Sequence, residues 1–564
     1  MSSQVLIAGC GPVGLCLAID LAMRGVSVTI VETRHPREVP TVRCNHVSSR
    51  TMEAFRRMGI ASRVRDAGLP DDYPNDIVFR PVATREEFAR IRIPGRQDRI
   101  SRNEGPDSWW PTPEPPHRCN QIFFEPLLFD RAAEIDKITI LNRTRVDGFR
   151  QDEGSVTVSV TDLDTGTVSE ISTDYLVGCD GGRSLVRKGI GSHLQGDAEI
   201  QKVQSTYFRA PRLHDRIPGK PGWMTYLYHP ARAGNLVAIN GNDTWLLHNY
   251  LLPGENGFDD VDRDACLRML LGVDPEFEYE ILNNEDWIGR RLVADKFRDR
   301  RVFIAGDAAH LWVPYAGYGM NAGIADALNL SWLLAARLNG WGGAEILDGY
   351  EAERKPITDQ VSRFAMSHAA RAIAERTQIP AEFLDDTPEG ERARDLIGRE
   401  AELLHVEQFA CAGLNFGYFY DSSPLIEYDG EPMPAYTMAD YTPSAVPGCR
   451  LPHFWLNDVR SLYDVMGEDY VLLRFDRAVD VSALIESAER ARMPLQILDL
   501  DGEDVPEAYR HGLVLARPDR HVAWRGDRLP DDVDRLVLKL CGRQSETAAQ
   551  ADADVAILQF VGKH

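Results

Sequence analysis

Three turns are rich in glycine, and the second and third also carry an aspartate. The first is Gly9-Cys-Gly11-Pro-Val-Gly14, the second begins at Asp180 and the third begins at Gly306. Glycines let backbone N–H groups approach phosphate oxygens, and a carboxylate accepts hydrogen bonds from sugar hydroxyls. These residue types predict that separate turns hold the two ends of one long, phosphate-containing cofactor.

The elements around the first turn would place it on a nucleotide. Residues 5–8 are a short apolar run, residues 13–24 have helical periodicity, and residues 26–31 are rich in β-branched side chains. This order is typical of a β-α-β unit. Glu32 ends the second strand at the spacing at which an acid binds a ribose. An ordinary glycine turn is the alternative, and the surrounding elements disfavour it.

The second and third turns extend the pattern. The second reads Tyr175-Leu-Val-Gly-Cys-Asp180-Gly-Gly-Arg183-Ser, and the third, Gly306-Asp307, precedes a glycine-rich helix start. Together the three motifs resemble those of the class A flavoprotein monooxygenases of the p-hydroxybenzoate hydroxylase type. The resemblance covers essentially the whole chain and implies that the first motif binds the ADP half of FAD, that Asp180 serves the pyrophosphate region and that Asp307 holds the ribityl chain. For both aspartates, capping of a turn is the alternative.

The resemblance gives a set of expected FAD contacts, to which Arg43 and Gln121 belong, with a solvated surface arginine as the alternative for Arg43. The helix that begins near Met320 would stabilise the negative charge of reduced flavin with its free N–H groups. The expected contacts are Gly9, Gly11, Pro12, Val13, Gly14, Glu32, Thr33, Arg34, Arg43, Gln121, Val146, Asp180, Gly181, Gly306, Asp307, Pro314, Gly317, Gly319, Met320 and Asn321.

The resemblance also implies a reaction. NADPH or NADH reduces FAD, O2 adds at the flavin C4a position, and the resulting hydroperoxide transfers its terminal oxygen to a phenol ring. The protein must exclude water and help to deprotonate the phenol. We therefore expect an aromatic-ring monooxygenase whose partners are O2 and a small phenolic molecule.

The substrate contacts are inferred from the aligned positions. Tyr226, close to the shared His229-Pro230, falls where the family has its phenol-facing tyrosine, and Pro314 would border the reacting edge of the flavin. The expected catalytic residues are Tyr226, Asn45, His46 and Pro314. The expected pocket residues are Asn249, Ile239, Trp223, Tyr228 and Tyr315. Packing in a core is the alternative for aromatic residues on an alternating strand.

The side chains that would bind a benzoate carboxylate are absent. The family holds a benzoate carboxylate with a serine and an arginine, and the aligned positions here are Ile239 and Gly241. Several tryptophans, including Trp223 and Trp245, favour a larger or more apolar aromatic substrate. The motif around Pro314 also departs from the common pattern, since Tyr315 and Ala316 precede Gly317.

The predicted fold class is α/β, with a Rossmann-like FAD-binding domain, an inserted antiparallel-sheet substrate domain and a C-terminal thioredoxin-like domain. The expected limits are 1–190 and 291–410 for the FAD-binding domain and its helices, 191–290 for the sheet domain, 411–448 for a connector and 449–564 for the last domain. That domain lacks a C-x-x-C motif, so we expect it to pack against the flavin domain or a second subunit of a homodimer rather than to exchange disulfides.

Composition excludes several other classes. The chain has 564 residues and a net charge of −23, which disfavours nucleic-acid binding. Its nine cysteines form no zinc-like cluster, so we expect no metal, free thiols and a cytoplasmic location. No apolar window is long enough to predict a membrane span.

Three other functions are alternatives to an aromatic-ring monooxygenase. A flavin-dependent halogenase would carry a W-x-W-x-x-P run, which this sequence lacks. An FAD-dependent oxidoreductase of the same fold without oxygen transfer is the main alternative, and oxygen uptake matched to hydroxylated product discriminates the two. A binding module without activity would not form a yellow protein that reoxidises in air.

Overall fold

The computed structural model describes residues 3–102, 104–312 and 317–544. Its helices are α1 (Pro12–Met23), α2 (Ser49–Arg57), α3 (Ala61–Arg65), α4 (Gln121–Ala133), α5 (Leu185–Gly189), α6 (Arg263–Leu271), α7 (Tyr318–Leu338), α8 (Asp348–Arg376), α9 (Pro388–Phe409), α10 (Ala412–Phe416), α11 (Leu462–Val465), α12 (Ser482–Ala491) and α13 (Val533–Leu540).

The strands form three sheets. They are β1 (Ser3–Ala8), β2 (Val28–Val31), β3 (Ile77–Arg80), β4 (Ala89–Ile91), β5 (Ile138–Leu141), β6 (Thr144–Gln151), β7 (Val156–Asp162), β8 (Val168–Gly178), β9 (Leu194–Arg209), β10 (Met224–His229), β11 (Arg232–Ala238), β12 (Thr244–Tyr250), β13 (Glu280–Asn284), β14 (Trp287–Ala294), β15 (Arg298–Asp299), β16 (Val302–Ile304), β17 (His310–Leu311), β18 (Tyr470–Arg474), β19 (Leu495–Asp499), β20 (Leu513–Ala516) and β21 (Val522–Gly526).

The first sheet brings the three glycine-rich turns to one edge. Its order is β15-β16-β8-β1-β2-β5, and β16, β8, β1, β2 and β5 run parallel. In this register Ala8 pairs with both Val31 and Gly178, and Gly178 pairs with Ile304. Four strands therefore end at the same level, and the turns that follow them meet at the carboxyl edge, where α/β sheets bind ligands.

Helix α1 crosses one face of this sheet and is buried on almost every side. It packs against α4 and α7 as well as the strands, which explains why its sequence is apolar all round rather than on one stripe. Its first residue, Pro12, suits a helix start because proline lacks the N–H that would have no partner there. The helix thus leaves its N-terminus at the edge where the turns meet.

The second sheet is antiparallel apart from one pair. Its order is β17-β14-β9-β12-β11-β10-β3-β4, and β13 pairs with β9. β3 runs parallel to β10 and lies more than a hundred residues before the predicted insertion in the chain. Strands from residues 77–91 and 310–311 thus complete a sheet whose centre lies in the predicted insertion, and the predicted domain limits stay a prediction.

The last sheet has the order β19-β18-β20-β21, and buried residues of α12 and α13 share a hydrophobic core with its strands. It is joined to the first part of the chain by buried charges. Arg517 is bound by Glu353 at 2.8 Å and by Asp519 at 2.6 Å, and Asn329 donates to Glu353 at 2.7 Å. Because buried charges are stable only when they are paired, this contact fixes the C-terminal domain against α7 and α8.

Candidate functional site

A cavity of about 690 Å³ lies between the carboxyl edge of the first sheet and one face of the second. We call its first side the turn wall, which is formed by Gly11, Gly181, Asp307, Gly317 and Gly319. We call its second side the aromatic wall, which is formed by Trp223, Tyr226, His248 and Tyr250. The cavity therefore joins the glycine-rich turns to the inserted sheet.

Two helices begin at the turn wall, and neither helix has a side-chain cap at its N-terminus. α1 follows Gly11 and α7 follows Gly317, and neither residue at the start of these helices supplies a capping side chain. Uncapped N–H groups and the helix dipole attract anionic groups. This arrangement fits the pyrophosphate and the electron-rich end of FAD.

The glycines of these turns divide into two kinds. A Cβ at Gly14 would lie 2.1 Å from the carbonyl oxygen of Gly9, and one at Gly9 would lie 2.4 Å from that of Cys179. A Cβ at Gly11 or Gly319 would meet no atom within 4 Å. The first pair therefore allows the turns to pack together, whereas the second pair leaves room at the cavity for a ligand.

Glu32 lies outside the cavity, beside a small depression that Cys10, Arg34 and Asn142 also line. Its carboxylate accepts hydrogen bonds from the backbone N–H of Cys10 at 2.9 Å and of Arg34 at 3.0 Å. Burial acts to raise the pKa of Glu32, but these hydrogen bonds and the Arg34 charge lower it, so the group stays ionised. An ionised acid at this position can accept from ribose hydroxyls. Thr33 also donates to Glu32.

Asp180 and Asp307 follow similar turns but have different surroundings. Asp180 does not line the cavity, because its carboxylate accepts from the backbone N–H of Leu185 at 2.7 Å and of Val186 at 3.1 Å, at the start of α5. Asp307 is exposed to the cavity, and no described residue donates a hydrogen bond to it. Burial within the molecule raises the pKa of Asp307, and His310 opposes this shift. Of the two acids, Asp307 is therefore the one that can meet a ligand.

Other expected FAD contacts are divided between the cavity and the protein interior. Pro12, Val13, Arg43, Gln121 and Met320 line the cavity. Gln121 donates to Glu125 at 2.6 Å, and Arg43 forms an ion pair with Glu285, which lies across the cavity on the loop after β13.

Three further residues expected to contact FAD do not line the cavity. Val146 is on β6 and packs against the core, and Gly306 packs against Val13. Asn321 accepts from the backbone N–H of Ser48 at 2.9 Å and donates to the carbonyl of Gly317 at 2.7 Å. It therefore fastens the loop before α2 to the start of α7 and faces away from the cavity.

The aromatic wall owes its composition to strand pairing. Tyr226, Asn235, His248 and Ser205 are aligned in one row across four strands, and all four line the cavity. Tyr226 is buried, donates to the side-chain oxygen of Gln408 at 3.2 Å and stacks on Phe79 with ring centroids 5.5 Å apart. Its ring is therefore held in one orientation.

Asn45 and His46 line the cavity next to the turn wall. Asn45 accepts a hydrogen bond from Asn120 at 2.5 Å. His46 contacts Arg118 through its Nδ1 atom and lies under Gly317. Burial, together with the charges of Arg118 and Arg99, holds the pKa of His46 well below its usual value. His46 is therefore a neutral imidazole at neutral pH.

Three expected pocket residues do not line the cavity. Asn249 accepts from Arg232 at 3.1 Å and donates to Gln204 at 2.8 Å on the other face of β12. Tyr228 is bound by Glu375 at 2.9 Å beneath α8 and α9. Ile239 is buried in the core of the sheet domain. The structure therefore places all three away from the cavity, since alternate residues of a strand point to opposite faces and positions further along it lie under other elements.

Pro314 and Tyr315 lie outside the described residues. Several cavity residues were not expected from the sequence: Arg118, His248, Tyr250, Trp287, Gln408 and Phe409. His248 and Tyr250 flank Asn249, so the correct face of β12 could have been found only from the register. Gln408 and Phe409 end α9, and no motif marks them. Arg118 lies three residues before Gln121, a spacing that draws no attention alone.

Within the described ranges, no helix combines the length and apolarity that crossing a membrane requires.

The comparisons with known proteins agree with this arrangement. Residues 2–365 match the family model described as FAD binding domain, and residues 444–543 match the one described as aromatic-ring hydroxylase, C-terminal. The chain is 30% identical to FAD-dependent monooxygenase apdD of Emericella nidulans, covering 96% of this chain and 90% of that one. It is 32% identical to aklavinone 12-hydroxylase RdmE of Streptomyces purpurascens, with 94% and 96% covered.

A solved structure is similar over nearly the whole length. The rebeccamycin biosynthetic enzyme RebC with reduced flavin superposes with a TM-score of 0.86 at 33% identity, covering 96% of this chain and 99% of that one. The match confirms the predicted fold class, in which a Rossmann-like domain, an inserted sheet and a C-terminal domain are combined. With two family models and these relatives, the chain belongs to the class A FAD-dependent aromatic hydroxylases.

Proposed function

We propose that this protein hydroxylates a phenolic aromatic ring, using FAD, O2 and either NADPH or NADH. The observation that carries the proposal is that one cavity runs from the turn wall to the aromatic wall. A flavin held by the turns would meet a substrate held by the sheet within that single space. The names of the relatives, a monooxygenase and a hydroxylase, support the same reaction class.

Bound FAD would accept a hydride from the nicotinamide nucleotide and supply the chemistry with O2, and this chain would supply position and charge. Glu32 would bind the adenosine ribose, the N-terminus of α1 the pyrophosphate, and Asp307 the ribityl hydroxyls. The N-terminus of α7 would stabilise the negative charge that the flavin gains on reduction.

Tyr226 is the residue best placed to orient the phenol. Its hydroxyl hydrogen is directed to Gln408, and in this orientation the Tyr226 oxygen would accept the hydrogen of a phenol. This hydrogen bond raises electron density on the substrate ring, which is what electrophilic oxygen transfer requires.

His46 would act beside Tyr226. Its Nδ1 atom is turned to the guanidinium of Arg118, so the neutral ring carries its proton on Nε2 and can donate it in a hydrogen bond. The phenolic oxygen of a substrate is the natural acceptor at this position. Tyr226 and His46 would therefore hold the same oxygen from two sides.

The ion pair between Arg43 and Glu285 joins the two walls near the surface, since the Arg43 side chain is 61% exposed. Trp312 and Phe409 add apolar surface to the cavity. A dry cavity protects oxygen transfer from competing reaction with water.

The experiment that tests the proposal measures stoichiometry. FAD-loaded protein is mixed with NADPH or NADH and a panel of phenols, while oxygen uptake and product mass are recorded. We expect one O2 consumed and one oxygen atom gained per substrate hydroxylated. Substrate reduction without oxygen uptake would instead establish the alternative, an oxidoreductase of this fold without oxygen transfer.

A further inference from the structure

A charged cluster lies behind the substrate end of the cavity and consists of Arg99, Asp107 and Arg118. Asp107 is bound by Arg99 at 2.9 Å and by Arg118 at 2.8 Å. All three side chains are almost fully buried. Two guanidinium groups therefore share one carboxylate, and the cluster carries a net charge of +1.

The neighbouring charged groups do not neutralise this excess. Arg65 is paired with Glu114 at 2.9 Å, and Arg96 is paired with Asp71. Burial and the surrounding arginines hold the pKa values of His46 and His117 below their usual range, so both rings are neutral. In the part of the chain that is described, none of the three Arg99 guanidinium nitrogens finds a hydrogen-bond acceptor, and its contact with Asp107 is an ion pair only.

Arg118 presents this charge to the cavity. It lines the cavity, and its guanidinium carbon lies 5.0 Å from the centre of the Trp223 ring. Nη2 donates to Asp107 and to the carbonyl of Phe409 at 3.2 Å, and Nη1 contacts His46. No described residue accepts from its Nε–H. A ligand would thus find an oriented guanidinium beside an aromatic ring.

An uncompensated buried charge is costly unless a partner of opposite sign approaches it. The positions where the family clamps a carboxylate are Ile239 and Gly241, which carry no charge. We infer that Arg118, supported by Arg99, is the anchor for an anionic oxygen of an aromatic substrate. This inference rests on the proposed function and deepens it, because it names the charge of the substrate and the residue that selects it.

A carboxylate and a phenolate could both supply the anionic oxygen, and matched ligands separate them. The probes are 2-naphthoate, 2-naphthol and the neutral 2-naphthamide, titrated into FAD-loaded protein without NADPH or NADH. We expect naphthoate to bind at least about tenfold more tightly than naphthamide, which corresponds to one charge-assisted hydrogen bond. If the absorbance of bound naphthol shows that it is ionised, a phenolate also supplies the anionic oxygen that Arg118 binds.

The variants Arg118→Met and Arg99→Met distinguish a direct contact between Arg118 and the ligand from an effect of the cluster's net charge on affinity. Each variant leaves one arginine paired with Asp107, so the cluster becomes neutral and the fold should persist. We expect Arg118→Met to lose the preference for naphthoate and Arg99→Met to lose only part of it, since the donor facing the cavity remains. Arg118→Lys, which keeps the charge without the planar fork, gives the comparison if Arg118→Met fails to fold.

A probe independent of ligand size is bromide, soaked into crystals of the unmodified protein. We expect bromide beside the Arg118 guanidinium. Equal affinity for naphthoate and naphthamide with naphthol bound only in its neutral form overturns the inference. So does the lack of both bound naphthoate and bromide at Arg118. Protein that shows the preference but never hydroxylates would contradict the proposed function alone.

Discussion

The two walls of the cavity are built by different means. The turn wall consists mainly of backbone, with glycines and two uncapped helix starts that face the cavity. The aromatic wall consists of side chains held on one face of a sheet by register. A wall made of backbone suits a cofactor whose shape is constant. In a wall made of side chains, amino-acid substitutions can change which ligand is bound. We therefore expect mutations in the first wall to affect FAD binding and mutations in the second to affect the substrate.

The largest effect should come from filling the turn wall. Gly319→Leu places a side chain where an added Cβ meets no protein atom within 4 Å, so the apoprotein should fold normally. FAD should bind at least about a hundredfold more weakly, because its site is occupied and steric conflict exceeds about 3 kcal/mol. Fluorescence titration of the apoprotein with FAD checks this. Unchanged affinity would remove Gly319 from the cofactor site.

Asp307→Ala should have the next largest effect. Hydrogen bonds to a charged group contribute about 2 kcal/mol, which is roughly thirtyfold in Kd. The ratio of flavin to protein absorbance after purification measures the loss. Asp180→Ala is the matched control: it removes the acceptor of two backbone N–H groups at the start of α5, whose N-cap is Ser184, and should lower stability by about 1 kcal/mol with a smaller effect on FAD. The reverse ranking would show that the structure assigns the two acids wrongly.

Tyr226→Phe should affect the substrate side alone. Loss of the hydroxyl should slow hydroxylation about tenfold, as expected for one hydrogen bond, and increase release of hydrogen peroxide with FAD content unchanged. Tyr228→Phe is the control, because Tyr228 binds Glu375 away from the cavity. Product per NAD(P)H consumed is the measurement. Equal coupling in both variants would exclude Tyr226 as a phenol contact.

The smallest expected effect is on the pH dependence of the stability of the apoprotein. Burial raises the pKa of Asp307, so its ionised form destabilises the folded apoprotein above that raised pKa. Asp307→Asn should make the apoprotein more stable than the parent at pH 7, and the difference should vanish as pH falls below the unfolded value of about 4. Chemical denaturation at several pH values tests this. A difference that grows on acidification would contradict the assigned direction.

The sequence placed Gly11 and Asp307 of the turn wall in recognisable motifs because the signals are local. Gly11 lies in a strand, turn and helix whose pattern is readable within about thirty residues,. The sequence predicted the aromatic wall less well. Tyr226 and Trp223 line the cavity, but Asn249 does not, because a shift of one residue along β12 reverses the face.

The amino-acid sequence by itself therefore determined a β-α-β unit, an antiparallel sheet and three glycine-rich turns, since each depends on neighbouring residues. Tertiary structure decided which of two similar aspartates meets the cavity, Asp307 rather than Asp180, since that depends on where α5 begins. It also decided that Arg99 and Arg118 share Asp107. Charge balance inside a protein depends on groups brought together from distant positions, and only the folded chain brings them together.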